Sequence, residues 1–446
     1  ICANFLDDAA KRAYEYDFSS LDGTQNVISY AVGLGLDFDL LDDFAANGGT
    51  DQALRADTAD EITEALESVV SMIINTPLSG AGVTLAETRG GNNDLLRPRY
   101  NMDTWDGNVD GYDVDEDGEL TIKYSVGTIL ESRDLDESPR TIIAGYDPDH
   151  DGNTNQTIAF TTANADTLRP ELFELFISGA EDSSRLADPI SDFTQDSSAT
   201  ALINFVHGVD QTDMRDRDSD DDGQVEKLGD VVYSQPVIVE QQNGSFNSFS
   251  GYTSFLNSQA SEPRIFLVGA NDGMLHAFDM ETGQELWAYI PSSQLKYLER
   301  LARLTYNRQY YRAFVDGFIK VLDVYVGGNW RTYAMFGLKE GGSQYVVLDI
   351  TDRDNPSLVY EVDPLTDAGQ SWSRPAVVYS GASSSSNDPG QFSWYMAVGT
   401  GAEKTTAGTN LLVYSLSSSL PPSPRVIPIS ASDPAGTRTS SIVISQ

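Results

Sequence analysis

The sequence predicts a mainly β protein, a β-propeller built of degenerate repeats, preceded by a partial α/β segment. Three observations carry this reading. The stretch Arg264–Pro291 is written as three short strands and two tight turns. Looser copies of that text recur elsewhere in the chain. The first 78 residues instead carry helical spacing around one buried strand.

In the leading stretch, the apolar run Ile265–Gly269 stops at Asn271-Asp272-Gly273, a strong tight-turn signal. Met274–Asp279 alternates apolar and polar residues, Glu281-Thr282-Gly283 turns the chain again, and Glu285–Ile290 carries Trp287. Such a meander is most of one propeller blade and cannot bury its faces alone, so siblings are required. Trp105–Tyr124 is one: Asp106-Gly107 matches Asp272-Gly273, Val109 matches Leu275, and Tyr112-Asp113 matches Phe278-Asp279. Gly341–Val362 is a second, with Tyr345–Asp349 in the place of LHAFD, and Gly408–Leu416 (GTNLLVYSL) is a third.

Ahead of these repeats, Phe5, Leu6, Ala9, Ala10 and Ala13 share one helical face, and Val27–Leu34 reads as a buried strand. Leu40, Leu41 and Phe44 predict a short helix ended by Asn47-Gly48-Gly49. Thr58-Ala59-Asp60-Glu61 is a capping box opening a helix with Ile62, Leu66, Val69, Val70 and Ile73 inward. Three regions follow: 1–80, the end of an α/β domain; 81–228, a β-rich connection with acidic loops; 229–446, the propeller. Within them, Leu168–Ile177, Ala199–Val206 and Gln294–Leu304 read as short helices, and Tyr311–Asp316, Ile319–Tyr325 and Thr332–Leu338 as strands. Gln242–Ser261 is Ser/Asn/Gly-rich and reads as an exposed loop. The chain opens inside an element and closes in strand-like text, which predicts a piece of a longer precursor.

Lys and Arg total 28 against 68 Asp and Glu, for a net charge of −40. That balance argues against nucleic acid or an anionic membrane as partner, since both need a basic face. It suits a saline or cation-rich setting. Cys2 is the single cysteine, so no internal disulfide can form. No apolar run approaches the roughly 18 residues of a membrane span.

VGANDGMLHAFD with ELWAYIP, preceded by LGDVVYSQPVIV, resembles the type IV pilus tip-associated adhesins of the PilY/PilC kind. YNRQYYRAFVDG, NWRTYAMFGLKEGGSQYVVLDITDRDNP and SWSRPAVV follow in the same order. LDDAAKRAYEYDFSSLDGTQNVISYAVGLG, then DLLDDFAANGG, looks like the end of the von Willebrand factor A domain of that family, although Asp17-Phe18-Ser19-Ser20 lacks the spacing of its Asp-x-Ser-x-Ser metal motif. The resemblance implies an extracellular, cell-surface protein at the pilus tip. It further implies a seven-bladed propeller and roles in adhesion, pilus assembly and calcium-dependent extension and retraction. The implied partners are pilin or minor pilins and a host or surface receptor.

The residues themselves point to Ca2+. Asp113/Asp115/Asp117-Gly118, Asp147/Asp149/Asp151-Gly152 and Asp218/Asp220/Asp222-Gly223 share a spacing that converges alternate carboxylates around a hard cation, with glycine allowing the sharp turn. None has Glu at the twelfth position. The third adds Glu226 at the ninth position and Asp230 just beyond the closing one; the second adds Asn153 and Asn155. The alternative for each is a solvated acidic turn, which a chain this acidic produces readily. Zinc is disfavoured, because Cys2, His150, His207 and His276 are few and scattered.

Ala277-x-Asp279-x-x-Thr282-Gly283-x-x-x-Trp287 also resembles the tryptophan-docking repeat of quinoprotein propellers, the basis of an alternative as a pyrroloquinoline-quinone oxidoreductase. The motif is complete once, so Trp287 reads more simply as a packing peg between blades and His276 as a structural or surface histidine. A third alternative is a metal-free scaffold for protein partners. No nucleophile elbow, phosphate loop or His-Glu-x-x-His is present, and the chain reads as non-enzymatic.

Overall fold

The computed structural model describes residues 5–16, 27–34, 39–50, 53–56, 58, 84–87, 93–101, 104–114, 120–149, 153–173, 195–218, 222–239, 246–304, 306, 311–363, 369–381, 386–401, 410–417 and 420–428. It divides into two compact units, Ile1–Pro77 and Leu78–Gln446.

In the first unit, helix α1 (Phe5–Glu15) precedes strand β1 (Val32–Leu34), helix α2 (Asp39–Asn47) and strand β2 (Leu54–Ala56). Strands β1 and β2 pair in parallel, Val32 opposite Leu54. Ala31, Ala45 and Ala53 form the small core between helix and strands, with Leu41 and Phe44 against it. Helix α2 ends at the predicted glycines, Gly49 taking a left-handed φ of 87°. The strand expected over Val27–Leu34 is shorter. The Val27 N–H bonds the Ala13 carbonyl and the Ser29 N–H bonds that of Gly48, so this backbone is committed before a ladder can form. The helix expected after Thr58 lies outside the described residues.

The second unit is built on four-stranded antiparallel meanders. The first holds β3 (Thr84–Glu87), β4 (Asn93–Tyr100), β5 (Gly107–Val114) and β6 (Leu120–Ser125). Helix α3 (Val126–Glu131) leads from it to β7 (Ile142–Tyr146) and β8 (Gln156–Ala159), then to helices α4 (Ala165–Leu172) and α5 (Gln195–His207). The second meander is β9 (Val237–Val239), β10 (Ile265–Gly269), β11 (Leu275–Asp279) and β12 (Glu285–Ile290), with helix α6 (Tyr252–Ser258) between β9 and β10. Strand β7 pairs in parallel with β12 and antiparallel with β8, widening this sheet to six strands. Short helices α7 (Ser292–Leu295) and α8 (Leu298–Ala302) follow. The third meander is β13 (Ile319–Val326), β14 (Asn329–Gly337), β15 (Tyr345–Asp349) and β16 (Ser357–Val362). The fourth is β17 (Ala376–Gly381), β18 (Phe392–Gly399), β19 (Asn410–Ser415) and β20 (Arg425–Pro428).

The four copies read from the sequence fall one in each meander, always at its third strand: β5, β11, β15 and β19. The correspondence extends to irregularities. The third-to-fourth pairing is bulged at Gly111/Tyr112, Ala277/Phe278 and Val347/Leu348, each time directly before the repeated aspartate. Asp279 Oδ1 then accepts the Thr282 N–H and hydroxyl, each at 2.7 Å, and Asp349 Oδ1 those of Thr351 at 3.0 and 2.6 Å. In the fourth copy Ser415 takes the aspartate's place, its hydroxyl accepting the Ser417 N–H at 3.3 Å. The next residues, Met280, Ile350 and Leu416, are buried and donate their N–H to Arg264, Thr332 and Trp394 on the preceding part of the meander. The aspartate turns the chain while its neighbour plugs the sheet.

Two expectations for the connections change. Gln242–Ser261 is not simply an exposed loop: Phe246, Phe249 and Tyr252 are buried against Trp330 and Trp394, and helix α6 begins at Tyr252. Three aromatic side chains spaced by three supply a core that the intervening Ser, Asn and Gly residues mask. Tyr311–Asp316 forms no strand, because its backbone is taken up by Asn271 and Ala270. The helix over Ala165–Leu172 overlaps the one expected over Leu168–Ile177 only as far as Leu172, residues 174–177 lying outside the described ones. The helix over Gln195–His207 covers the expected Ala199–Val206, and Gly208 (φ 98°) ends it.

Candidate functional site

The third acidic loop leads into the second meander. Asp218 accepts the backbone N–H of Asp222 on Oδ1 at 2.9 Å and that of Gly223 on Oδ2 at 2.8 Å. Gly223 has a φ of 87°, a conformation that glycine adopts without strain. The Glu226 N–H bonds the Arg217 carbonyl at 3.0 Å and closes the loop base. A first-position carboxylate folded back on the fifth and sixth N–H groups is the turn that brings odd-numbered oxygens together around a cation. Asp220, the third-position residue, lies outside the described residues. Among the described residues no group of three or more His, Cys, Asp or Glu side chains is gathered as a metal set.

The other two loops sit differently. Asp113 occupies the repeat position of Asp279 and Asp349, and pairs with Lys123 at 3.8 Å; Asp115 and Asp117 lie outside the described residues. Asp147 is half-buried and Asp149 exposed in the β7–β8 connection, followed by half-buried Asn153 and Asn155, while Asp151 lies outside the described residues. Asp230 does not close the third loop. It is buried, accepting Asn271 Nδ2 at 2.9 Å and the Tyr311 hydroxyl at 2.8 Å, and burial pushes its carboxyl up to about 7 against those bonds.

Immediately after the loop, Gly229 crosses Gly107 so closely that a Cβ on Gly107 would lie 2.1 Å from the Gly229 carbonyl oxygen. The Gly229 N–H donates to Asp272 Oδ2 at 2.8 Å. This begins a buried ionic chain. Both Asp272 oxygens lie 3.1 Å from His276 Nε2, His276 Nδ1 lies 2.8 Å from Glu285 Oε1, and Glu285 receives Arg140 through two bonds of 2.7 Å. Burial alone would lower the imidazole, but Asp272 and Glu285 outweigh it and hold His276 at about 9, positively charged at neutral pH. Burial would raise Glu285, yet Arg140 and His276 hold it well below the usual carboxylate range. His276 is thus a structural histidine.

Trp287 is fully buried and its Nε1 donates to the Arg353 carbonyl at 2.8 Å, joining the second meander to the third. It is a packing peg, as expected.

Between the third loop and the ionic chain lies a cavity of about 310 Å3, walled by Trp105, Asp106, the end of α5, residues 215–217 and 226–229, and the Asn271–Met274 turn. Burial and the neighbouring Glu226 push Asp106 up to about 6, while burial and the other cations bring Arg217 down to about 9 and Lys227 to about 8. The chain text gave no sign of this cavity, because its walls come from segments more than 100 residues apart.

Residues 228–419 match the family model of the PilY1 beta-propeller domain, which takes in the second to fourth meanders as far as β19. The type IV pilus biogenesis factor PilY1 of Pseudomonas aeruginosa strain UCBPP-PA14 is 28% identical over 349 residues, covering 72% of this chain and 28% of that protein. A PilY1 homolog of Xylella fastidiosa strain Temecula1 is 32% identical over 198 residues, 42% of this chain and 15% of that one. The crystal structure of the Pseudomonas aeruginosa PilY1 C-terminal domain aligns over 44% of this chain and 38% of that chain, at 27% identity and a TM-score of 0.34. The chain therefore spans just over a quarter of the first curated relative and less of the second. Residues 228–419 of this chain match the PilY1 beta-propeller domain, and with that match the resemblance to the PilY/PilC family is shown.

Proposed function

We propose that this chain is the propeller-bearing part of a calcium-binding, pilus-associated cell-surface protein that acts in type IV pilus biogenesis. It acts outside the cell at the pilus tip, in adhesion and in assembly, extension and retraction, against pilin or minor pilins and a host or surface receptor. Relatives named type IV pilus biogenesis factors support the role in pilus biogenesis. The four-element text of residues 1–77, with its parallel β1–β2 pair, supports reading that unit as the end of an A-type domain. The propeller is read as non-catalytic, since its one docking tryptophan and buried histidine are committed to packing and charge balance.

The observation that carries the calcium reading is the fold-back of Asp218 onto Asp222 and Gly223. Ca2+ in the third loop would take oxygens from Asp218, Asp220, Asp222 and Glu226, and supply positive charge beside the Gly229–Asp272 junction. Binding to the folded state alone, at about 100 times the dissociation constant, adds roughly 2.7 kcal/mol of stability. Calcium titration calorimetry on the chain and on Asp218→Asn/Asp222→Asn tests this. The expected result is a stoichiometric site lost in the double variant, with a calcium-dependent rise in melting temperature lost alongside it. No calcium heat in the unaltered chain would leave the metal-free scaffold.

A further inference from the structure

Arg215, Arg217 and Lys227 line the cavity beside the third loop. Their hydrogen-bond partners are main-chain carbonyls alone. Arg215 donates to Leu301 at 3.1 Å and Thr104 at 3.3 Å, Arg217 to Phe205, and Lys227 to Glu131 at 2.6 Å and Val225 at 3.2 Å. A guanidinium carries five N–H donors, so Arg215 spends two and Arg217 one. No described carboxylate lies within ion-pair distance of either. In a chain with 68 acidic residues this is unexpected.

The acids on the same wall are mostly engaged elsewhere. Asp272 serves Gly229, Met274 and His276, Asp216 accepts the Asp218 N–H at 3.0 Å, and Asp106 takes the Thr104 hydroxyl. Glu226 also lines the wall. Phe205, Val206, Met274 and Leu301 line the cavity beside the charges, the Arg217 guanidinium lying 3.8 Å from the centre of the Phe205 ring. Trp105, also on the wall, holds a left-handed φ of 58° with its ring stacked 4.2 Å from Tyr311. A bulky residue keeps such strain only where its surroundings impose it, and such positions cluster at ligand sites.

We propose that this cavity binds a small carboxylate carrying an apolar tail, its head on the guanidinium groups of Arg215 and Arg217 and its tail against Phe205, Met274 and Leu301. The planar fork of arginine matches a carboxylate through paired N–H groups. The nearby Glu226 and Asp272 disfavour a dianion such as phosphate. At about 30 Å3 for each water-sized group, the space holds roughly ten such groups, enough for a free aromatic or aliphatic acid or for the last residue or two of a polypeptide.

The test is calorimetry on the whole chain with chelator present, so that calcium binding and its failure play no part. The probes are 3-phenylpropionate and its amide, and N-acetyl-leucyl-phenylalanine as acid and as amide. The acids bind at least tenfold more tightly than the amides. Binding of 3-phenylpropionate marks a free acid as sufficient, and binding of the dipeptide acid alone marks a chain terminus. Arg217→Gln weakens the acid at least tenfold, and Glu226→Gln tightens it about threefold. Arg215→Lys keeps the charge but loses the fork, and weakens the acid without changing the melting temperature by more than a few degrees. Acid and amide binding equally, or no binding of any probe at millimolar concentration, would overturn the proposal whatever the variants do.

Discussion

Two seams of the propeller are held by opposite physics. Between the third and fourth meanders the contact is aromatic: Phe246 lies 5.2 Å from Trp394 and 5.6 Å from Trp330, and Phe249 lies 5.2 Å from Phe392. Around the second meander the contact is ionic, running Arg140–Glu285–His276–Asp272 through buried side chains. An aromatic seam gains from each ring's buried area and loses it piecemeal when one ring shrinks. An ionic seam is stable only when complete, because each buried charge is tolerated on account of its neighbour. The ionic seam also borders the third loop and the cavity, so it is the one that a bound ion or ligand can influence.

The largest effect expected breaks the ionic seam at its centre. Glu285→Ala strands Arg140 and His276 together, at a cost of about 3–5 kcal/mol. Urea unfolding measures it. A loss below about 1 kcal/mol would mean that water reaches these charges and that the contrast between the seams is false. Replacing Arg140 with Met alongside Glu285→Ala removes one stranded charge and restores part of the loss.

Next in size is a pH effect at the contact between the second and third meanders. Glu361 is buried with no cation paired to it among the described residues, accepting Tyr289 at 2.5 Å and Gln344 at 2.9 Å, with Ser292 donating as well. Burial pushes it up to about 7 against those bonds, from about 4.5 in the unfolded chain. The folded state then holds the proton that the unfolded state releases. The contribution is full below pH 4.5 and is lost as pH rises through 7, by ~3 kcal/mol at most. Glu361→Gln keeps an acceptor for Tyr289 and removes this dependence. Unfolding midpoints between pH 5 and 8 should fall more steeply in the unaltered chain than in the variant, and equal slopes would refute the assignment. Asp230 and Asp316, raised to about 7 and about 6 by burial, leave the variant a residual slope of the same sign.

These seams differ also in how far the chain text foretold them. The meanders were legible because strand alternation and turn residues are local signals: Asp279, Asp349 and Asp113 mark the same bulged turn in three sheets. The ionic seam was not, since Arg140 and Glu285 are 145 residues apart and each alone reads as an ordinary surface charge. His276 within Leu275–Ala277 was the one local hint, a polar residue in fully buried strand text. The aromatic plug at Phe246, Phe249 and Tyr252 was hidden by its polar neighbours. The third loop was visible by spacing, but Asp230 only looked like part of it, because sequence distance cannot tell a loop oxygen from one turned inward to Asn271.

The smallest effect compares two tryptophans of the same burial, one on each seam's sheet. Trp287 and Trp394 are both fully enclosed. The Trp287 indole N–H is bonded to the Arg353 carbonyl, whereas that of Trp394 is buried with no hydrogen-bond partner among the described residues. Replacement by Phe removes similar apolar area at both sites. At Trp287 it also leaves a carbonyl unanswered, which adds about 1–3 kcal/mol to the loss. At Trp394 it removes an unsatisfied donor, so part of the lost packing is returned. Trp287→Phe should therefore destabilise the chain by at least about 1–3 kcal/mol more than Trp394→Phe in paired urea titrations. Equal losses would mean that a water bridges the Trp394 indole, or that the Trp287 bond adds nothing to the packing around it.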